Sequence, residues 1–301
     1  MKTITLYVLS ILLSVPTVSA EVTRNTAMNP DGAIEHVFYS EGKEIAKQIV
    51  DKRDRIIKTT GKIPDGIVKQ FYKSGKSRFE WNYKDNKLNG IAKGYDENGN
   101  LDFEWTYKDG KYEGISREYY KGGKLKGETN FKNGRREGVV KEYYENGQVK
   151  IEGKNKSGRV EGMIKEYYES GKIKGEVNFK DGKREGMGKE YYESENLKGE
   201  TIFKDNKQEG ISKLYYESGA LQGSWNYQNG KREGAGKVYY ENGKLRIEVN
   251  YKDDKMEGIG NEYYENGMKK YIDTYRNGQL IIREEYDANG KLKYERGYPR
   301  E

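Results

Sequence analysis

The chain has 301 residues, with 56 lysines and arginines against 49 aspartates and glutamates, one histidine and no cysteine, giving a net charge of +7. Without cysteine there is no disulfide and no thiolate chemistry, and a single histidine leaves no Ser-His-Asp or Cys-His set. With 35% charged and 33% hydrophobic residues the chain is too polar for a two-sided core along its length, and a single twisted sheet held by cross-strand pairs and an aromatic stripe is the compatible architecture.

Residues 1–20 differ in composition from the rest of the chain. Lys2 is their only charge, Ile4 to Val15 is mainly apolar, and Val18-Ser19-Ala20 is a small-residue cleavage motif. The segment reads as a secretory signal peptide, because the apolar run is too short for a stable membrane span; an uncleaved N-terminal anchor is the alternative. The expectation is an exported chain beginning at Glu21, without a transmembrane span, that is periplasmic, at the cell surface or secreted. With no cysteine after the apolar run, a lipid-anchored lipoprotein is excluded.

Residues 21–64 read as an atypical capping segment that covers the first open strand edge of a repeat array. Phe38 to Lys43 echoes half of a later repeat, and Ile45–Val50 with Arg55–Thr59 reads as a hairpin of different length. The lone His36 lies here and reads as a cap residue.

Residues 65–283 are the array itself, with a period of 24 residues. The glycine of an "EG" pair, with Asp65 and Asn89 in place of the glutamate in the first two copies, falls at Gly66, Gly90, Gly114, Gly138, Gly162, Gly186, Gly210, Gly234 and Gly258, and an aromatic pair comes after it in phase, as at Tyr167-Tyr168. A fixed period in this range marks a repeat architecture. Each unit carries two turn signals, Glu-Asn-Gly-like (Glu145-Asn146-Gly147) and Lys-Asp/Asn-Gly (Lys132-Asn133-Gly134), between strand-like runs. Both suit a three-residue hairpin loop closed by a left-handed glycine. This places Tyr119 opposite Leu125, Ile115 opposite Thr129, Glu118 opposite Lys126, Phe131 opposite Arg135 and Gly127 opposite Val139, with Ile115, Tyr119, Leu125, Thr129 and Phe131 on one face. Glu195 in place of a turn glycine predicts a strained or altered loop, while Asn86, Asn206 and Asp254 suit left-handed positions. Asn155 and Gly153 mark the weakest strand. Residues 284–301 read as a degenerate closing hairpin and tail, with Asn289-Gly290 arriving one residue early.

The unit G-x-x-K-E-Y-Y-E-N-G-K-L-K-G-E-x-N-Y/F-K-D/N-G-K-x-E-G resembles the MORN repeat variant, over roughly Ile63 to Tyr294, in the form found in bacterial proteins of the YwqK-like antitoxin family. The resemblance implies an all-β, elongated, single-layer antiparallel β-hairpin array. It also implies a non-enzymatic scaffold with protein-binding or lipid-binding surfaces. An antitoxin for a cytoplasmic toxin has no use for a signal peptide, whereas an immunity protein acting outside the cytoplasm does.

No cofactor or metal motif is present. The glycines recur singly at turns rather than in a phosphate-binding loop, and lysine flanks each Asp-Gly turn. The paired carboxylates sit beside lysine in every repeat and read as cross-strand charge pairs, so no enzyme is expected; a hydrolase built into the array is the alternative class. Interleaved glutamates break any positive stripe and argue against nucleic acid. The tyrosine ladder Tyr120, Tyr144, Tyr168, Tyr192, Tyr216, Tyr240 and Tyr264 is either structural stacking or a row of aromatic faces for a partner. Trp81, Trp105 and Trp225 are the strongest binding candidates. The expected function is an exported scaffold binding another macromolecule, foremost a protein. Cell-envelope glycan, anionic lipid or a partner toxin are the alternatives.

Overall fold

The computed structural model describes residues 20–29, 32–52 and 55–298, so the segment read as a signal peptide lies outside the described residues. Every regular element among those residues is a β-strand. The chain divides into two units, residues 1–99 and 100–301.

In the first unit, β1 (Val22–Met28), β2 (Ile34–Ser40), β3 (Lys43–Val50) and β4 (Ile56–Gly61) form an antiparallel meander. β5 (Gly66–Phe71), β6 (Ser77–Lys84), the two-residue β7 (Lys87–Leu88) and β8 (Gly90–Tyr95) form the first repeat and the start of the next. The two halves join through a parallel pair, Val22↔Val68 and Thr23↔Lys69, which gives β5 a partner on its otherwise open edge. An apolar core forms here: Phe38, Ile63 and Val68 are fully buried, with Ala46, Val50, Trp81, Tyr83 and Ala92 around them. Phe38 meets Tyr83 edge-on at 5.4 Å. Asn86 ties the segments together, its Oδ1 accepting from the Ile63 amide at 2.7 Å and its carbonyl from Gln48 at 3.1 Å. His36 lies in β2 beside Thr26, 3.0 Å away, and burial followed by the nearby Arg24 charge pushes its imidazole down to about 4.

The second unit is an open antiparallel sheet of repeats. One copy runs Gly162–Tyr167, turn, Ile173–Lys180, turn, Lys183–Arg184, and then Gly186–Tyr191 of the next. At the first turn the Gly171 amide donates to the Tyr168 carbonyl at 2.9 Å, and Gly171 has φ +84°. This is the expected type I turn closed by a left-handed glycine. At Glu195 the same hydrogen bond forms at 2.9 Å with the glutamate at φ +71°, so the loop keeps its shape and the backbone carries the strain.

The second turn is shorter than expected. Lys180 pairs directly with Lys183, and both Asp181 (φ +51°) and Gly182 (φ +82°) are left-handed. It is a two-residue type I′ turn, whose twist matches that of the strands it joins. Asn86, Asn206 and Asp254 all sit at positive φ, as expected of them.

The register also differs beyond the first pair. Tyr119 faces Leu125, but Ile115 faces Asn130 rather than Thr129, and Glu118 faces Gly127 rather than Lys126. Phe131 faces Arg136 and Gly127 faces Glu142. Across the first turn the cause is a bulge: Lys126 is an extra residue on one strand, and one extra residue moves every later side chain to the other face. Across the second turn it is the two-residue loop, which pairs Lys132 with Arg135, and a further irregularity between Thr129 and Phe131. Ile115 therefore leaves the aromatic face and is 46% exposed, as are its counterparts Val139, Met163, Met187, Ile211 and Ile259 to similar degrees. The charge pair expected at Glu118–Lys126 forms at the equivalent Glu166–Lys174, 2.7 Å apart, across the bulge.

Asn155 is buried within a regular strand, Val149–Lys156. The room left by Gly153 is filled by Ile164, whose Cδ1 takes the space a Cβ would need. The closing hairpin pairs Gln279–Tyr286 with Leu292–Gly297.

Candidate functional site

The recurring tyrosines of each unit are consumed by the structure. The second of each pair donates its hydroxyl to a backbone carbonyl one repeat on: Tyr120 to Tyr143, Tyr144 to Tyr167, Tyr168 to Tyr191, Tyr192 to Tyr215, Tyr216 to Tyr239 and Tyr240 to Tyr263, at 2.6–2.8 Å. Tyr264 does the same to Tyr286 at 3.0 Å, one residue short of the usual spacing because the closing turn arrives early. Cations stand 5.7–5.9 Å from the rings of Tyr144, Tyr192, Tyr240 and Tyr264. The first of the pair donates to a glutamate of the preceding repeat, as Tyr167 does to Glu152 at 2.6 Å, except at Tyr239, where Ser224 stands in place of the glutamate. The "EG" glutamate accepts from the next turn, Glu161 from the Asp181 amide at 2.9 Å. Its glycine is left-handed, Gly162 at φ +78°. The hydroxyls of the tyrosine ladder thus fasten repeat to repeat, in line with the structural one of its two readings.

The tryptophans separate. Trp81 is only 7% exposed, with the Arg24 guanidinium 3.2 Å above its ring, and belongs to the core of the first unit; this corrects its place among exposed binding candidates. Trp105 stacks on Phe103 at 3.8 Å and meets Tyr112 edge-on at 5.8 Å. Trp225 lines a groove in the second unit.

That groove, of ≈ 1300 Å³, lies in the second unit between the repeats that begin at Gly162 and the strand carrying Arg283. Its form is a matter of side-chain size. Paired residues share a face, and the pairs Ser212↔Trp225, Gly236↔Val249 and Gly260↔Asp273 put small residues on the floor. The equivalent floor positions in earlier repeats are Val68, Ala92, Ser116, Val140 and Ile164. Trp225 lies down on the sheet over two glycines: a Cβ on Gly223 would stand 2.5 Å from its ring and one on Gly236 would stand 2.8 Å from it. Gly236 seats the Tyr251 ring in the same way, at 2.7 Å.

Phe203, Tyr227, Tyr251 and Tyr275 line the groove, one per repeat. Arg184 covers Phe203 at 4.4 Å and Arg232 covers Tyr251 at 4.3 Å. Tyr227 has Gln208 in place of the arginine. Burial is the main force pushing its hydroxyl up, with Arg232 opposing it. At one end Asp273, 6% exposed, accepts two hydrogen bonds of 2.8 Å from Arg283 and one of 2.9 Å from Tyr275.

Phe203, Tyr227, Tyr251, Arg184 and Arg232 escape the sequence reading. The signal that marks them is a run of small residues at Gly188, Ser212, Gly236 and Gly260, recurring with the period.

Models of the MORN repeat variant match residues 64–85, 88–109, 112–133, 136–154, 160–181, 208–229, 232–253, 256–277 and 279–298. The chain belongs to the MORN repeat variant family. A MORN repeat model matches residues 178–196, the stretch that carries Glu195, overlapping the end of the variant match over 160–181. No curated protein matches the sequence. Among solved structures, a chain in the structure of the Photorhabdus luminescens Tc holotoxin pore (mutation TccC3-D651A) is similar over 90% of this chain at 12% identity, with a TM-score of 0.18. This MORN-variant chain spans 17% of the length of that chain. No helix among the described residues is long and apolar enough to cross a membrane.

Proposed function

We propose that this MORN-variant chain is an exported, non-catalytic scaffold whose second unit binds another protein along the Trp225 groove. The observation that carries the reading is the contrast between two aromatic sets. The signature tyrosines are tied to backbone carbonyls between repeats, whereas Trp225, Tyr227 and Tyr251 line a long open groove. Aromatic side chains held on a rigid sheet offer large contact area at low entropic cost, which suits them to partner binding. The segment read as a signal peptide directs the chain to the periplasm, the cell surface or the medium. The likeness to YwqK-like antitoxins narrows the partner to a toxin met outside the cytoplasm, the role of an immunity protein. Envelope glycan is the second reading, favoured by the way Trp225 lies flat over Gly223 and Gly236; anionic lipid is a third.

The test is photo-crosslinking from Tyr227 in envelope extracts, then titration with the purified captured protein. We expect Trp225→Ala to weaken that binding at least about tenfold, as loss of an aromatic anchor does. Binding unchanged by Trp225→Ala would remove the groove from the function. Intact Met1 on cytoplasmic protein would remove export.

A further inference from the structure

We infer that the groove takes a proline-rich segment of its partner in the polyproline II conformation. This rests on the reading of the groove as a protein-binding surface and names the chemistry it selects.

Spacing comes first. Two strands per repeat, about 4.8 Å apart, place Phe203, Tyr227, Tyr251 and Tyr275 at steps of roughly 10 Å along the groove. A polyproline II helix has three residues per turn rising about 3.1 Å each, so one of its faces returns every ~9 Å. Successive turns therefore meet successive repeats. An extended strand returns a side chain to the same face about every 7 Å and falls out of step within two repeats.

Hydrogen bonding agrees. The Trp225 indole N–H and the Tyr227 and Tyr251 hydroxyls have no hydrogen-bond partner among the described residues. The carboxylates that face the groove are largely engaged. Glu166 accepts from Lys174 at 2.7 Å, Glu262 from Lys270 at 3.2 Å, and Glu248 from Tyr263 at 2.7 Å. Asp273 is held by Arg283 and Tyr275; Glu190, exposed at the rim, is the exception. Ser212 Oγ and Asn261 Oδ1 in the same groove also lack a partner among the described residues, while Trp225, Tyr227 and Tyr251 supply donors. A prolyl backbone offers carbonyl acceptors and no N–H, so it satisfies them without bringing unmet donors of its own.

Charge points the same way. Six cations and six carboxylates line the groove, with Arg283 paired to Asp273 at 2.8 Å and Lys213 to Glu200 at 3.0 Å, so the groove favours an uncharged occupant. The pyrrolidine rings would lie on the Trp225 and Tyr227 faces. A segment already ordered as polyproline II loses little entropy on docking.

The test is isothermal titration of the full chain with a poly-L-proline peptide about four turns long, a Gly/Ser peptide of the same length and a peptidoglycan oligosaccharide. The expected result is binding of the proline peptide alone, tighter with each added turn. The double variant Tyr227→Phe/Tyr251→Phe keeps both rings and should weaken binding roughly tenfold, the loss of two hydrogen bonds. No binding of the proline peptide, binding indifferent to that variant, or binding of the oligosaccharide in its place would overturn the inference. If the proline peptide fails while a captured protein partner still depends on Trp225, the groove reading survives and only this inference falls. If neither depends on the groove, both fall.

Discussion

At the scale of single residues, the repeat signature is a set of conformational and hydrogen-bonding demands rather than a recognition code. The left-handed position of the first turn shows the demand most clearly, because one repeat breaks it. Glu195 occupies φ +71° where its counterpart Gly171 sits at +84°, with the turn hydrogen bonds intact. A residue with a Cβ held there costs about 1 kcal/mol or somewhat more. The 3.7 Å ion pair of Glu195 with Lys172 is solvent-exposed and offsets little of that. Glu195→Gly should therefore stabilise the protein by about 1 kcal/mol, read as a higher midpoint in urea at unchanged slope. A fall in the midpoint would mean that the ion pair or the lower flexibility of glutamate in the unfolded chain outweighs the strain.

At the scale of the hairpin and the repeat, each unit touches chiefly its neighbours, and the fastenings fall at fixed offsets. Deleting Gly162 to Glu185 rejoins Glu161 to Gly186 and restores an "EG" pair. Tyr144 then finds the carbonyl of Tyr191 where that of Tyr167 had been, so the shortened chain should fold and melt cooperatively. A deletion variant with a disordered circular-dichroism spectrum would show that coupling extends beyond adjacent units. The repeat, its period and its first turn are legible in the sequence, because glycine and tyrosine recur where only they satisfy the geometry. The register is not, because the bulge at Lys126 adds a residue that looks like any other lysine on a polar strand. The groove is hidden for the same reason: it arises where Ser212, Gly236 and Gly260 oppose large residues across a strand pair, which is visible only once the register is known. The parallel pairing of β1 with β5 has no local signal at all, since nothing in Val22-Thr23 distinguishes it from an antiparallel edge.

At the scale of the whole molecule, one tyrosine–glutamate contact is repeated many times, which makes alkaline pH a collective probe. Burial and then the adjacent glutamate push Tyr167 and Tyr263 up to about 12, and Tyr119, Tyr143, Tyr191 and Tyr215 shift in the same direction. In the unfolded chain these phenols titrate near ~10. Their contribution to stability is therefore complete below about pH 10 and is lost as pH rises toward 12, because the unfolded chain releases protons first. The unfolding transition should coincide with the late rise in phenolate absorbance. Phenolates that all titrate near ~10 with the sheet intact would show that these contacts are not made in solution. The chemistry of the fastenings also bears on descent. Tyrosine hydroxyls reach for main-chain carbonyls of the adjoining unit, and "EG" glutamates for its main-chain amides. Because the receiving groups of these two fastenings belong to every peptide bond, only the tyrosine–glutamate contact asks for a particular side chain in the adjoining repeat. Unequal recombination can therefore add, drop or transpose units without compensating mutations, and lineages are free to vary in copy number while the side chains over the groove floor evolve independently.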